Sequence, residues 1–226
     1  MKIQGLAIAF DLDGTLVDTA PDLTAATNAV LARAGRRRLD EHVVRHLVGR
    51  GARALIEAGF AHTGAAVDPA SIEGHVEAFL DFYGRNLSAN SRPFPGVRET
   101  LQSLQDEGAL LSVCTNKPHP LAMQLLAELE LLSFFDVVIG ARALPFRKPD
   151  PRHLLECITR SGGDKAFAVM VGDSETDVAA ARNAAVPVIL VDFGYTAIPA
   201  AELGGDALIS QFDALLPAIS GLQAVS

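Results

Sequence analysis

Five short apolar runs, each stopped by a polar residue or cluster, constrain this chain more than any other feature. Residues 6–10 run into Asp11-Leu12-Asp13-Gly14-Thr15, residues 109–114 into Thr115-Asn116-Lys117-Pro118, and residues 137–139 into Gly140. Residues 167–171 then run into Gly172-Asp173, and residues 188–191 into Asp192-Phe193-Gly194. Runs of this length bounded by turn-formers predict buried strands. Between them apolar residues recur at helical spacing: Val97, Leu101 and Leu104, then Leu121, Leu125, Leu126 and Leu129, then the alanine-rich stretch after Asp177. Alternating strands and helices predict an α/β fold, a doubly wound parallel sheet with helices on both faces and a Rossmann-like core.

Residues 19–92 break the alternation. They carry four helical periods and no strand between them: Pro21 with Leu23, Ala26, Val30 and Leu31, then stretches near residues 42–47, 52–60 and 70–87. The expected organisation is an α/β core made of residues 1–18 and 93–226, with a helical domain, 19–92, inserted after the first strand. Pro93-Phe94-Pro95-Gly96 marks the return. Arg36-Arg37-Arg38 beside Gly35 is read as a solvated loop between helices.

Composition narrows the function. Of 226 residues 49% are hydrophobic and 20% charged, the balance of a globular protein, and the net charge of −8 gives no attraction to a nucleic-acid backbone. No nucleic-acid partner is expected. The absence of an 18-residue apolar stretch predicts no membrane span. Two cysteines, Cys114 and Cys157, stand outside any CxxC pattern, which predicts free thiols in a cytoplasmic protein.

In an open parallel sheet, ligands bind at the carboxyl ends of the strands, so four polar clusters are expected to converge. These are Asp11-Leu12-Asp13-Gly14-Thr15, Thr115-Asn116-Lys117, Lys148-Pro149-Asp150-Pro151 and Gly172-Asp173 with Asp177. Carboxylates, a hydroxyl and a lysine suit an oxygen-ligated divalent ion and a phosphoryl group. Asp177 also fits a helix cap, and Cys114 a small buried thiol. The six histidines show no metal-ligand spacing.

In their order and type these four clusters resemble the signatures of the haloacid dehalogenase-like hydrolases, over nearly the whole chain. The resemblance implies that the helical insertion is a cap domain and that Asp11 is a nucleophile carrying an aspartyl-phosphate. It implies Asp13 as the general acid and base, and Thr115 and Lys148 as partners of the phosphoryl group. The implied cofactor is Mg²⁺, on Asp11, Asp173 and the Asp13 backbone carbonyl, with Asp177 in support. Gly14 leaves room for close approach of an anion, and Asn116 joins the substrate-binding set.

Asp13 separates this chain from the dehalogenases of the superfamily, which lack that acid, and favours phosphoryl transfer. Val48-Gly49-Arg50-Gly51, Phe94-Pro95-Gly96-Val97, Thr115-Asn116-Lys117-Pro118 and Phe193-Gly194-Tyr195 are similar to stretches of bacterial phosphoglycolate phosphatases. The expected partner is thus a small phosphorylated metabolite, 2-phosphoglycolate first. The alternatives are a phosphosugar mutase, a pyrophosphatase or a nucleotidase on the same scaffold, and a non-catalytic binding protein. Arg50 is the candidate for the substrate's carboxylate, its rival reading being a solvent-facing arginine. A monomer or homodimer is expected. Ala185 departs from the family, in which glycine is common at that position.

Overall fold

The computed structural model describes residues 3–223. In chain order the first half comprises β1 (Ala7–Phe10), β2 (Val17–Asp18), α1 (Ala20–Arg33), α2 (Glu41–Arg45), α3 (Ala52–Thr63), α4 (Ile72–Arg85), β3 (Arg92–Pro93) and α5 (Val97–Asp106). There follow β4 (Leu110–Pro118), α6 (His119–Glu128), β5 (Val137–Ala141), α7 (Pro151–Arg160), β6 (Ala168–Gly172), α8 (Glu175–Ala184), β7 (Val188–Val191), β8 (Ala207–Ile209) and α9 (Leu215–Gln223).

Alternation along β1 sets the layers, because successive side chains of a strand point to opposite faces. Ile8 and Phe10 pack with Leu101 and Leu104 of α5, Leu125 of α6 and Leu215 of α9. Ala7 and Ala9 face the other way, toward Leu154 and Ile158 of α7 and Ala181 of α8. The strand is buried throughout. The six-stranded sheet has the order β5-β4-β1-β6-β7-β8, with every neighbouring pair parallel. Winding therefore reverses beside β1. The carboxyl ends of β4, β1 and β6 frame the crevice where such sheets bind ligands.

The expected doubly wound sheet is present, with additions. β8 and α9 extend it beyond the last apolar run; a strand of three residues is too short to carry a periodic signal. β4 does not stop at Cys114 but continues through Thr115, Asn116 and Lys117 to Pro118, with a register irregularity between Cys114 and Pro118. Such a bulge re-aims side chains at a strand end. Ala185, at the end of α8, has φ +56° and ψ +45°. This left-handed position costs an L-residue roughly 1–2 kcal/mol and is one that favours glycine.

Helices α1 to α4 lie between β2 and β3, and these two short strands pair antiparallel, Val17 with Pro93 and Asp18 with Arg92. Both chain crossings between the helices and the sheet thus run side by side. Asp22, in the first turn of α1, clamps the return: its buried carboxylate accepts from the Asn90 and Ser91 backbone N–H groups and from the Ser91 hydroxyl. Leu23, Val30, Leu31, Leu55, Ile56 and Phe79 fill the space between the helices.

Candidate active site

The loop leaving β1 is anchored before it presents any chemistry. The Asp11 N–H continues the ladder to the Val171 carbonyl at 2.9 Å, and buried Leu12 and Leu16 pin the turn, with the Leu12 carbonyl accepting from Leu16 and Val17. Asp11 and Asp13 then line one pocket together with Thr115, Asn116 and Lys117 at the end of β4. The opposite wall comes from the helices and is apolar apart from one hydroxyl: Leu23, Leu55, Phe79, Leu80 and Tyr83.

Lys148 enters from the loop after β5. Its Nζ lies 2.8 Å from Asp11 Oδ1 and donates to Asp177 Oδ1 at 2.6 Å. Burial works against this charge, but Asp11 and Asp177 outweigh it and hold the ammonium protonated. Asp177 also ties the start of α8, its other oxygen accepting from the Ser174 N–H and hydroxyl and from the Asp173 N–H. It therefore serves both as a helix cap and as a partner of Lys148. Asp173 is held by the Thr15 hydroxyl at 2.8 Å and the Tyr195 N–H at 2.7 Å.

Backbone close to Asp173 explains two glycines. Gly14 has φ +88°, and a Cβ there would lie 2.5 Å from Asp173 Oδ2; a Cβ on Gly194 would collide with the Asp173 side chain. Neither position tolerates a larger residue without moving the carboxylate.

Carboxylate oxygens of Asp11, Asp173 and Asp177 lie within 4.8 Å of one another, all buried. The Lys148 ammonium pairs with Asp11 and Asp177, while Asp173 has no cationic partner among the described residues, so negative charge is in excess. Burial pushes the Asp11 carboxyl up to about 7, with Lys148 pulling against it and Asp177 adding to it. Burial, joined by Asp177 and Asp11, holds Asp173 well above the usual carboxylate range. Buried carboxylates that share a site resist ionising together, and a hard divalent cation on oxygen donors relieves that strain.

Gly14 lies against Asp173. The Asn116 amide is used between the Lys148 carbonyl at 3.1 Å and the Gly49 carbonyl at 3.3 Å, joining the sheet to the helices. Arg50 stands apart. Its side chain is 74% exposed, reaches only Glu175 at 3.5 Å, and does not line the pocket, although its neighbours Gly49 and Gly51 do.

The sequence places Lys117 in a converging cluster without assigning it a role, and gives no pointer to Tyr83. Lys117 Nζ donates to Asp13 Oδ1 at 2.8 Å and to the Tyr83 hydroxyl at 2.5 Å, with its side chain only 2% exposed. A signal existed in the chain: Lys117 stands two residues beyond Thr115, and alternate residues of a strand share a face. Tyr195, part of the Phe193-Gly194-Tyr195 stretch, has a structural role that the sequence does not assign. Its hydroxyl donates to Asp18 and accepts from the Thr19 and Ala20 N–H groups, fastening the crossing into α1.

The haloacid dehalogenase-like hydrolase family model matches residues 8–191, which takes in all four strand-end clusters. The chain belongs to the haloacid dehalogenase-like hydrolases. Among curated members of this family, phosphoglycolate phosphatase of Caulobacter vibrioides is 50% identical over 93% of this chain and 89% of its own length. The phosphoglycolate phosphatase of Agrobacterium fabrum is 46% identical over 96% and 93% respectively. The crystal structure of a predicted phosphoglycolate phosphatase from Haemophilus somnus aligns with a TM-score of 0.89 at 31% identity, over 96% of this chain and 98% of that one. Phosphatases of the haloacid dehalogenase-like family are generally metal-dependent, and the acidic cluster at the sheet's switch point agrees with that. Among the described residues no helix is long and apolar enough to cross a membrane.

Proposed function

We propose that this chain is a Mg²⁺-dependent phosphatase that hydrolyses 2-phosphoglycolate to glycolate and phosphate through an aspartyl-phosphate on Asp11. The observation that carries the reading is one constellation: Asp11 at the end of the central strand, contacted by the Lys148 ammonium at 2.8 Å, with Asp13 and Thr115 on the same pocket. Likeness at 46–50% identity to proteins named phosphoglycolate phosphatase supports the substrate.

In this reading an Asp11 carboxylate oxygen attacks phosphorus, and the bond to the glycolate oxygen breaks as the bond to Asp11 forms. Asp13 gives its proton to the departing oxygen. Thr115 donates to a phosphoryl oxygen while Lys148 balances the charge gathering there. Asp13, now ionised, takes a proton from water, and that water displaces phosphate from Asp11, which regains its carboxylate. Asp11, Asp173 and the Asp13 carbonyl would hold the Mg²⁺. Their oxygen donors and excess negative charge fit it, and when bound the ion supplies neutralisation of nucleophile and phosphoryl charge. Residues 19–92 act as a cap that covers the site and excludes water, with hinges at the β2 and β3 crossings.

The test is phosphate release from 2-phosphoglycolate and a panel of sugar phosphates, nucleotides and pyrophosphate, with Mg²⁺ and with chelator. A kcat/KM for 2-phosphoglycolate well above the rest, abolished by chelation, is expected. Preference for a phosphosugar or a nucleotide would overturn the substrate, and full turnover in verified metal-free conditions would overturn the metal.

A further inference from the structure

Among the described residues Lys117 is the sole cationic side chain lining the pocket. Lys148 is committed to Asp11 and Asp177, and Arg147, whose guanidinium lies near Gly51, does not line the pocket. An ammonium has three N–H donors, and in Lys117 Asp13 and Tyr83 take two, leaving one for a ligand. Its position is set from both sides. The backbone belongs to β4 of the core, while the Tyr83 hydroxyl and ring come from α4, the ring centroid 4.4 Å from Nζ. Phe79 in turn stacks on Tyr83 at 5.7 Å.

Where this cation stands is informative about substrate. Asp13 is the group that serves the bridging oxygen in the proposed reaction. A cation hydrogen-bonded to Asp13 therefore stands next to whatever that oxygen carries. In 2-phosphoglycolate the carboxylate lies one methylene beyond the bridging oxygen, and the facing wall of Leu23, Leu55 and Phe79 offers it no other ionic partner. Arg50, exposed and outside the pocket, is not placed for the task.

We infer that Lys117 is the specificity-determining residue for the substrate's carboxylate, and that Tyr83 of the helical segment is its positioning residue. The inference rests on the phosphoglycolate reading. Recognition is thereby delivered from the core, and the helices contribute by holding the ammonium in place. A longer acid would set its carboxylate past Lys117 and against the apolar wall.

The experiment compares 2-phosphoglycolate with ethyl phosphate, which replaces the carboxylate by a methyl group. Wild-type protein is expected to prefer the acid in kcat/KM. Lys117→Met, folded by circular dichroism, is expected to lower that preference at least tenfold, whatever it does to the absolute rate, and Lys117→Arg to retain part of it. Tyr83→Phe, which keeps the ring, is expected to lower it about threefold, mainly through KM for the acid. An equal loss on both substrates in Lys117→Met would overturn the inference while leaving the phosphoglycolate reading intact. Absence of any preference in the wild type would overturn both. Should Lys117→Met not fold, Tyr83→Phe decides: an unchanged preference overturns the inference, and a loss confined to KM for the acid upholds it.

Discussion

The two walls of the pocket are made in different ways. On the sheet side Asp11 and Asp13 follow β1 and Thr115 and Lys117 lie at the end of β4, and their neighbours Lys148, Asp173 and Asp177 form a buried network of ion pairs and hydrogen bonds. On the helical side Leu23, Leu55, Phe79 and Tyr83 are members of the apolar packing between helices that happen to face the gap. The difference teaches a division of labour. The sheet wall can lose a functional atom without losing its shape, whereas the helical wall cannot lose a side chain without losing packing.

The sharpest way to break this contrast is Asp11→Asn. The change is isosteric, so turnover is expected to fall by roughly 10⁴-fold or more, as for other residues that act as a catalytic unit. Stability should hold. The Asp11 carboxyl titrates near 7 because its ionised form is disfavoured in the fold. In a metal-free protein at pH 8 the wild type bears that penalty and the amide does not, so the variant's Tm is expected to be no lower than the wild type's. Phosphate release together with thermal melts checks both parts, and a folded variant with near wild-type turnover would end the covalent mechanism.

Metal binding is the next largest effect and belongs to the same wall. Chelation is expected to stop phosphate release and added Mg²⁺ to restore it. Because Asp11 keeps its proton up to about pH 7, that proton competes with the cation below pH 7 and not above it. The rise in Tm on adding Mg²⁺ to chelator-treated protein should therefore be larger at pH 8 than at pH 6. A larger rise at pH 6 would contradict the assigned ligands.

Phe79→Ala sharpens the comparison from the helical side. Phe79 is buried against Tyr83, and truncating a buried phenylalanine costs about 3–5 kcal/mol. Denaturant unfolding should show that loss, with kcat/KM falling on all phosphomonoesters and most on 2-phosphoglycolate, because Tyr83 loses the ring stacked on it. A fully stable variant would mean that the helices are not packed as described. The smallest expected effect is at Arg50. Arg50→Ala should change stability by no more than about 0.5 kcal/mol, as an exposed residue does, and should leave the preference for 2-phosphoglycolate over ethyl phosphate within about twofold. A selective loss on the acid would instead bring Arg50 to the substrate.

The sheet was readable because its signals are local. A buried strand announces itself by an uninterrupted apolar run, and the polar residue that ends it must lie at the sheet's edge. That is how Asp11, Thr115 and Asp173 stand out, and Lys148, in a further polar cluster, takes its role from the family resemblance. The helical segment was legible as helices for the same reason, since Leu23, Val30 and Leu31 recur at the helical period. β8 was not, because three residues are too few to show a period.

The sequence by itself thus determined the order of the strands along the chain, the helical insertion and the polar clusters at strand ends. All of these follow from the polarity pattern of a few neighbouring residues. Only the tertiary structure decided that Lys117 meets Asp13, 104 positions away, and Tyr83, 34 positions away. It alone placed Arg50 outside the pocket and gave Asp177 both a helix end and Lys148. The physical reason is that an ammonium or a guanidinium on a flexible stem takes its direction from the charges and hydroxyls that packing brings within its reach, and no local pattern encodes those.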